Sequence, residues 1–128
     1  MLTAGMVFAV LAAALHVLIF YMESLAWEGP LARKTFGGTP EEARPHAFYA
    51  FNQGFYNLFL ALQSLIGAAL AALGYTVAGA VLMLAGTGAM LAAAVVLALA
   101  SAPHRSAAAR QGALPLLAVV CTIAALLG

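Results

Sequence analysis

Residues 2–22, LTAGMVFAVLAAALHVLIFYM, carry no charged side chain and a single histidine, His16. As an α-helix rising 1.5 Å per residue, such a run is about 30 Å long, the thickness of a bilayer's hydrocarbon layer. Small residues at Ala12–Ala14 imitate a signal-peptide cleavage site. However, no Lys or Arg precedes Arg33, and the apolar run continues well past Ala14. A signal peptide has a basic start and a short apolar core, so the segment reads as a retained membrane helix from about Thr3 to Trp27. Trp27 suits the membrane interface, and Gly29-Pro30 is a stop signal.

Three further apolar runs follow. The second span is expected over about His46–Leu73, ending near Gly74. The third covers about Tyr75–Ala100, closed by Pro103. The fourth covers about Gln111–Gly128, with Pro115 near its start, where a missing amide costs little. In the first loop, Thr39-Pro40-Glu41-Glu42 predicts a short helix: Thr39 as the cap, Pro40 at the first helical position and Glu42 completing a capping box. Pro45 should bend its junction with the second span. The fold expected is all-α, one transmembrane domain over residues 1–128. It is an antiparallel up-down bundle of four membrane helices with a short cytoplasmic helix in the first loop.

Composition agrees. Hydrophobic residues make up 66% of the chain and charged residues 7%, against about 25% in a soluble domain. Nine charged side chains could not keep a surface of this size in water, whereas lipid-facing surface should be apolar. Net charge is +1, which offers no basic footprint for nucleic acid. Asp is absent, and the single Cys121 excludes an internal disulfide and any two-cysteine metal motif.

Arg33, Lys34 and Arg44 lie in the first loop, and Arg105 and Arg110 in the third. With four spans these loops share one side of the membrane, so all five basic residues do too. The positive-inside rule makes that side cytoplasmic and puts both termini outside, in the cell inner (plasma) membrane. The third and fourth spans are rich in Ala and Gly. The spaced pairs Gly88/Ala92 and Ala89/Ala93 would let them pack closely, including against a second copy as a homo-oligomer.

Polar side chains are costly inside a bilayer and mark function where they face protein or water. His16 and Glu23 are two helical turns apart on one face of the first span, with Trp27 continuing the stripe. The second span has His46, Gln53, Asn57 and Ser64 on one face, and Asn52, Tyr56 and Gln63 on an adjacent one. Measured from the cytoplasmic ends, Glu23 lies about 6 Å deep, His16 about 16 Å, Asn52 and Gln53 about 10 Å, and Tyr56 and Asn57 about 16 Å. The antiparallel pairing of the first two spans brings these depths together, and Gln111 enters from the same side. The expected site is therefore a pocket of His16, Glu23, Trp27, Asn52, Gln53, Tyr56, Asn57 and Gln111, open to the cytoplasm with His16 at its deep end. Each residue also has a plainer role. His16 and the amides can bond neighbouring helices, Glu23 can reach to the interface, and Tyr49, Tyr56 and Trp27 can anchor there.

These residues resemble those of the small bacterial membrane proteins of domain-of-unknown-function family 1304. The resemblance rests on His16, Glu23, Trp27, Pro30 and Phe36, then on Asn52-Gln53-Gly54-Phe55-Tyr56-Asn57 with Phe59-Leu60-Ala61, and on Gln111-Gly112 with Pro115. It spans nearly the whole chain. Two positions depart from the family pattern: Leu15 stands where a Glu usually precedes the His, and Leu58 where a Gly commonly follows Tyr-Asn. The resemblance implies a four-helix membrane protein and no established activity. A weaker likeness to small multidrug exporters rests on the intramembrane Glu alone. The one-sided basic loops and the Asn-Gln-Gly run do not fit them.

Three functions follow from the residues. The first is binding, and in one form transport, of a small molecule or ion, with an intramembrane Glu23 serving a proton-coupled carrier. The second is a membrane-embedded enzyme acting on a lipid-like or quinone-like substrate. It would use Glu23 in acid-base catalysis assisted by Tyr56 and His16, or a metal on His16, Glu23 and His46. The spacing of His16 and Glu23, about 10 Å along the axis, is not that of a helical metal pair. The third is a structural or accessory subunit. The sequence identifies no cofactor.

Overall fold

The computed structural model describes residues 1–128 and contains four helices long and apolar enough to cross a membrane. Helix α1 (Leu2–Phe20) continues through a π-helical turn, Tyr21–Leu25. Two short helices, α2 (Pro30–Phe36) and α3 (Pro40–Ala43), fill the first loop. After a 3₁₀ turn at Arg44–His46 come α4 (Ala47–Ala72), α5 (Thr76–Ala100) and, after a second 3₁₀ turn, α6 (Arg105–Leu127). The protein is an all-α, four-helix membrane bundle with additional short helices in its first loop.

The four long helices form a ring. α1 packs against α4 and α6, α5 packs against the same two from the opposite corner, and α1 and α5 touch only lightly across the centre. The core consists of small residues and methionines. Ala9, Ala68, Ala71, Met83 and Ala118 form one cluster, and Ala12, Ala13, Ala61 and Met90 a second. In lipid, helices associate through close packing, which small side chains permit. At the tightest crossing, α4 and α5 meet at Gly67 and Gly79, where any Cβ would strike the opposite backbone. The spaced pairs of α5 lie elsewhere. Ala89, Ala92 and Ala93 are exposed, and a Cβ on Gly88 would meet nothing. They face outward and do not hold the bundle together.

The first loop differs from the expectation at its start. The first span ends at Leu25, the last residue of the π turn, before the expected Trp27. Gly29-Pro30 begins the next helix instead of stopping this one: Pro30 is the first residue of α2, the position where its fixed φ and missing N–H suit a helix best. The Thr39–Glu42 capping box forms as its sequence predicts, with Glu42 N–H donating to Thr39 Oγ1 at 3.3 Å and Thr39 N–H donating to Glu42 Oε2 at 2.8 Å. Trp27 ties the loop down. Its indole N–H donates to the Ala43 carbonyl at 2.8 Å, and Arg33 stacks over its ring at 4.3 Å while donating to the Trp27 carbonyl at 3.0 Å.

The last helix begins at Arg105, earlier than the expected Gln111. Ala107–Ala109 are strong helix formers, and the two flanking arginines do not interrupt them. Pro115 consequently lies well inside α6, buried, and leaves the Gln111 carbonyl without its usual intrahelical donor.

Candidate functional site

The site forms where the π-helical turn of α1 meets the first half of α4. In the turn, Ala26 N–H donates to the Tyr21 carbonyl at 2.9 Å, five residues back. The extra residue widens the helix locally and reorients the side chains around Glu23 and Ser24. Such π turns are frequent at functional sites. Ser24 Oγ donates to the Phe51 carbonyl at 2.7 Å, and Asn57 Nδ2 donates to Glu23 Oε2 at 2.8 Å. The same Asn57 nitrogen lies 3.2 Å from the Gln53 carbonyl, which fixes the amide's orientation. Gly54 makes this approach possible. A Cβ there would strike Ser24 Oγ and come within 3.1 Å of both Glu23 Cβ and the Phe20 carbonyl.

A cleft of about 410 Å³ opens beside this contact, lined by Glu23, Ser24, Trp27, Glu28, Ala47 and Phe51 among others. It contains two carboxylates with different partners. Glu28 forms a two-pronged ion pair with Arg44, with a shortest contact of 2.8 Å. The hydrogen bond from Arg44 holds the Glu28 carboxyl below its ordinary range. Glu23 has no cationic partner: Glu28–Arg44 is the one salt bridge in the chain. Its single side-chain partner is the neutral Asn57, and its other oxygen accepts no hydrogen bond from the chain.

The predicted site residues separate into two groups. Glu23 and Asn57 meet, and Trp27 lines the same cleft. Asn52, Gln53 and Tyr56 do not join them, because their side chains are exposed, Tyr56 to 58%. The buried arc of α4 runs through Ala50, Gly54, Asn57 and Ala61. At 100° per residue Tyr56 sits about 100° from Asn57 and Asn52 about 140°. Gln53 shares Asn57's face but sits one turn nearer the helix start, and only its carbonyl takes part. Nor does the cleft extend to His16 or to Gln111. His16 is fully buried within the bundle, its Nδ1 bonded to the Ala12 carbonyl at 2.8 Å and its Nε2 unpartnered. A carbonyl only accepts, so Nδ1 carries the proton.

His46 is exposed in the 3₁₀ turn, away from His16, and no three His, Cys, Asp or Glu side chains are grouped to hold one ion. Tyr56 points away from Glu23, so the acid-base trio does not assemble either. Sequence reasoning missed Ser24, Phe51, Ala47 and Glu28 as lining residues. The signal available for Ser24 was its place beside Glu23, opposite a glycine in the antiparallel partner helix.

No curated protein and no solved structure matches the chain. One family does, described as protein of unknown function (DUF1304), over residues 10–123. That segment takes in the π turn, Glu23, Gly54 and Asn57 together with nearly all of the four membrane helices, and the chain belongs to the DUF1304 family.

Proposed function

We propose that this membrane protein binds a small cationic ligand, an organic ammonium ion or an inorganic cation, in the cleft between the π turn of α1 and the start of α4. The observation that carries this reading is the state of Glu23. A carboxylate at the edge of a membrane span has a hydrogen-bond donor in Asn57 but no countercharge, and it lines an open cleft. A charge in a low-dielectric setting attracts an opposite charge more strongly than it would in water. Glu28, which also lines the cleft, is already neutralised by Arg44, so selectivity for a cation rests on Glu23. Trp27 and Phe51 supply the apolar wall that an organic cation would contact.

The positive-inside rule puts this cleft at the cytoplasmic face of the inner membrane, with both termini outside, because the five basic residues flank the same end of the bundle. Transport is the natural extension: a cation bound at the inner face of four helices is positioned for release across them.

Trp27 is the chain's single tryptophan and lines the cleft, so it reports occupancy directly. Titration of the detergent-solubilised protein with benzyltrimethylammonium should change Trp27 emission saturably. Glu23→Gln should weaken that binding at least about tenfold, the loss of one charge-assisted contact. Equal affinity in the two proteins would remove the proposal.

A further inference from the structure

Gln63 lies near the middle of the membrane and is exposed on the outside of the bundle. It precedes Ala72, the last residue of α4, by nine positions, which places it about 14 Å from that end of a layer about 30 Å thick. Its polar neighbours are satisfied within the bundle, Ser64 Oγ by the Leu60 carbonyl at 3.0 Å and Asn57 by Glu23. The Gln63 amide has no such partner in the chain. Hydrocarbon offers no donor or acceptor, and a side chain of three carbons is too short to reach either interface from this depth.

We propose that two copies of this chain pair in the membrane through the outward face of α4 and α5, each Gln63 amide hydrogen-bonding to its counterpart. A primary amide both donates and accepts, so two identical ones satisfy each other across a two-fold axis. All five basic residues lie at one end of the bundle, three in the first loop and two at the start of α6, so every copy inserts the same way. The axis then runs along the membrane normal and brings equal depths together, which is the condition for Gln63 to meet Gln63. The neighbouring surface of α5 is suited to close contact. Ser64 packs against Gly86, which fixes the level, and the exposed residues of α5 there are Ala85 and, one turn on, Ala89. Side chains this small let a second backbone approach within hydrogen-bond reach of a glutamine. Asn52 and Tyr56 continue the exposed polar stripe toward the start of α4. The face is distinct from the cleft at Glu23, which opens between α1 and α4.

Single-molecule photobleaching of the fluorescently labelled full chain, reconstituted in liposomes over a range of protein-to-lipid ratios, tests this. The wild-type chain should bleach in two steps at high density. Gln63→Leu should raise the dissociation constant about tenfold, the magnitude expected for losing paired interhelical amide bonds. Leu62→Ala, on a different side of α4, should leave it unchanged. A wild-type chain that stays monomeric in pure lipid overturns the proposal, as does a Gln63→Leu dissociation constant equal to wild type, or an equal loss in both variants.

Discussion

Glu23 and Asn57, 34 residues apart in the chain, meet across the α1–α4 seam with Asn57 Nδ2 donating to Glu23 Oε2 at 2.8 Å. Asn57 is only 6% exposed, so little water is available to take the carboxylate's place as its acceptor. Two variants separate structure from charge. Asn57→Leu removes the donor and should cost about 1.5–3 kcal/mol, the range for a hydrogen bond to a charged group, read as a lower midpoint of thermal unfolding in detergent. Glu23→Gln keeps an acceptor for Asn57 and should unfold close to the wild-type temperature while losing cation binding. If Glu23→Gln destabilises as much as Asn57→Leu, the carboxylate's role is structural.

The fold was legible because hydropathy and stop signals act locally. Gly74, with φ 93°, and Ser101 divide the apolar runs where composition indicates, and the capping box at Thr39 and Glu42 is written in consecutive residues. The site was legible in part. The depth comparison gathered Glu23 and the amides of α4 in one half of the membrane, at about 6 Å against about 10 and 16 Å, but it did not pair Glu23 with Asn57, and depth does not determine rotation. A π turn adds one residue to a helical turn through tertiary packing, here Ser24 on the Phe51 carbonyl and Gly54 against Phe20, and no local propensity announces it. Once the buried arc of α4 is set by Gly54, Asn57 and Ala61, Tyr56 and Asn52 must point out. Helical periodicity alone left both faces open.

Gly54 is the position most sensitive to added bulk. Its missing Cβ admits Ser24 Oγ and the Phe20 carbonyl. Gly54→Ala forces the π turn away from α4 and should cost about 1–3 kcal/mol by overpacking. It should also break the Ser24–Phe51 and Glu23–Asn57 hydrogen bonds and so reduce cation binding beyond the stability effect. Gly88→Ala serves as the comparison. A Cβ there meets nothing, and α-helical alanine is favoured over glycine, so it should be neutral or slightly stabilising. Similar unfolding temperatures for the two variants would contradict the packing described.

Glu28 makes the loop sensitive to acid. Arg44 holds its carboxyl below the ordinary value, so the stabilisation is present at neutral pH, above the unfolded carboxyl's pKa, and is lost as pH falls through the lower folded value. The loss should therefore appear below about pH 4, under the ordinary glutamate range. Because the pair is exposed, salt should weaken it as well. Trp27, next to Glu28, provides the signal: its emission should shift on acidification in wild type and far less in Glu28→Gln. An identical acid transition in both proteins would assign it to another group.

Orientation decides which compartment the cleft faces. Gly38, at φ 76°, lies in the exposed turn between α2 and α3, where an inserted tag disturbs no buried backbone. Gly128 ends the chain at the opposite end of the bundle. An alkaline phosphatase fusion at Gly128 should be active, since that enzyme folds only outside the cytoplasm, and a fluorescent protein inserted at Gly38 should fluoresce if the first loop follows the positive-inside rule. Arg33, Lys34 and Arg44 supply most of the retaining charge. Substituting all three with Gln leaves Arg105 and Arg110 as the only basic residues beside the spans, so a fraction of chains should invert, visible as lost phosphatase activity at Gly128. Reversal of both wild-type readings would place Glu23 at the outer face, where the cleft would meet cations from outside the cell.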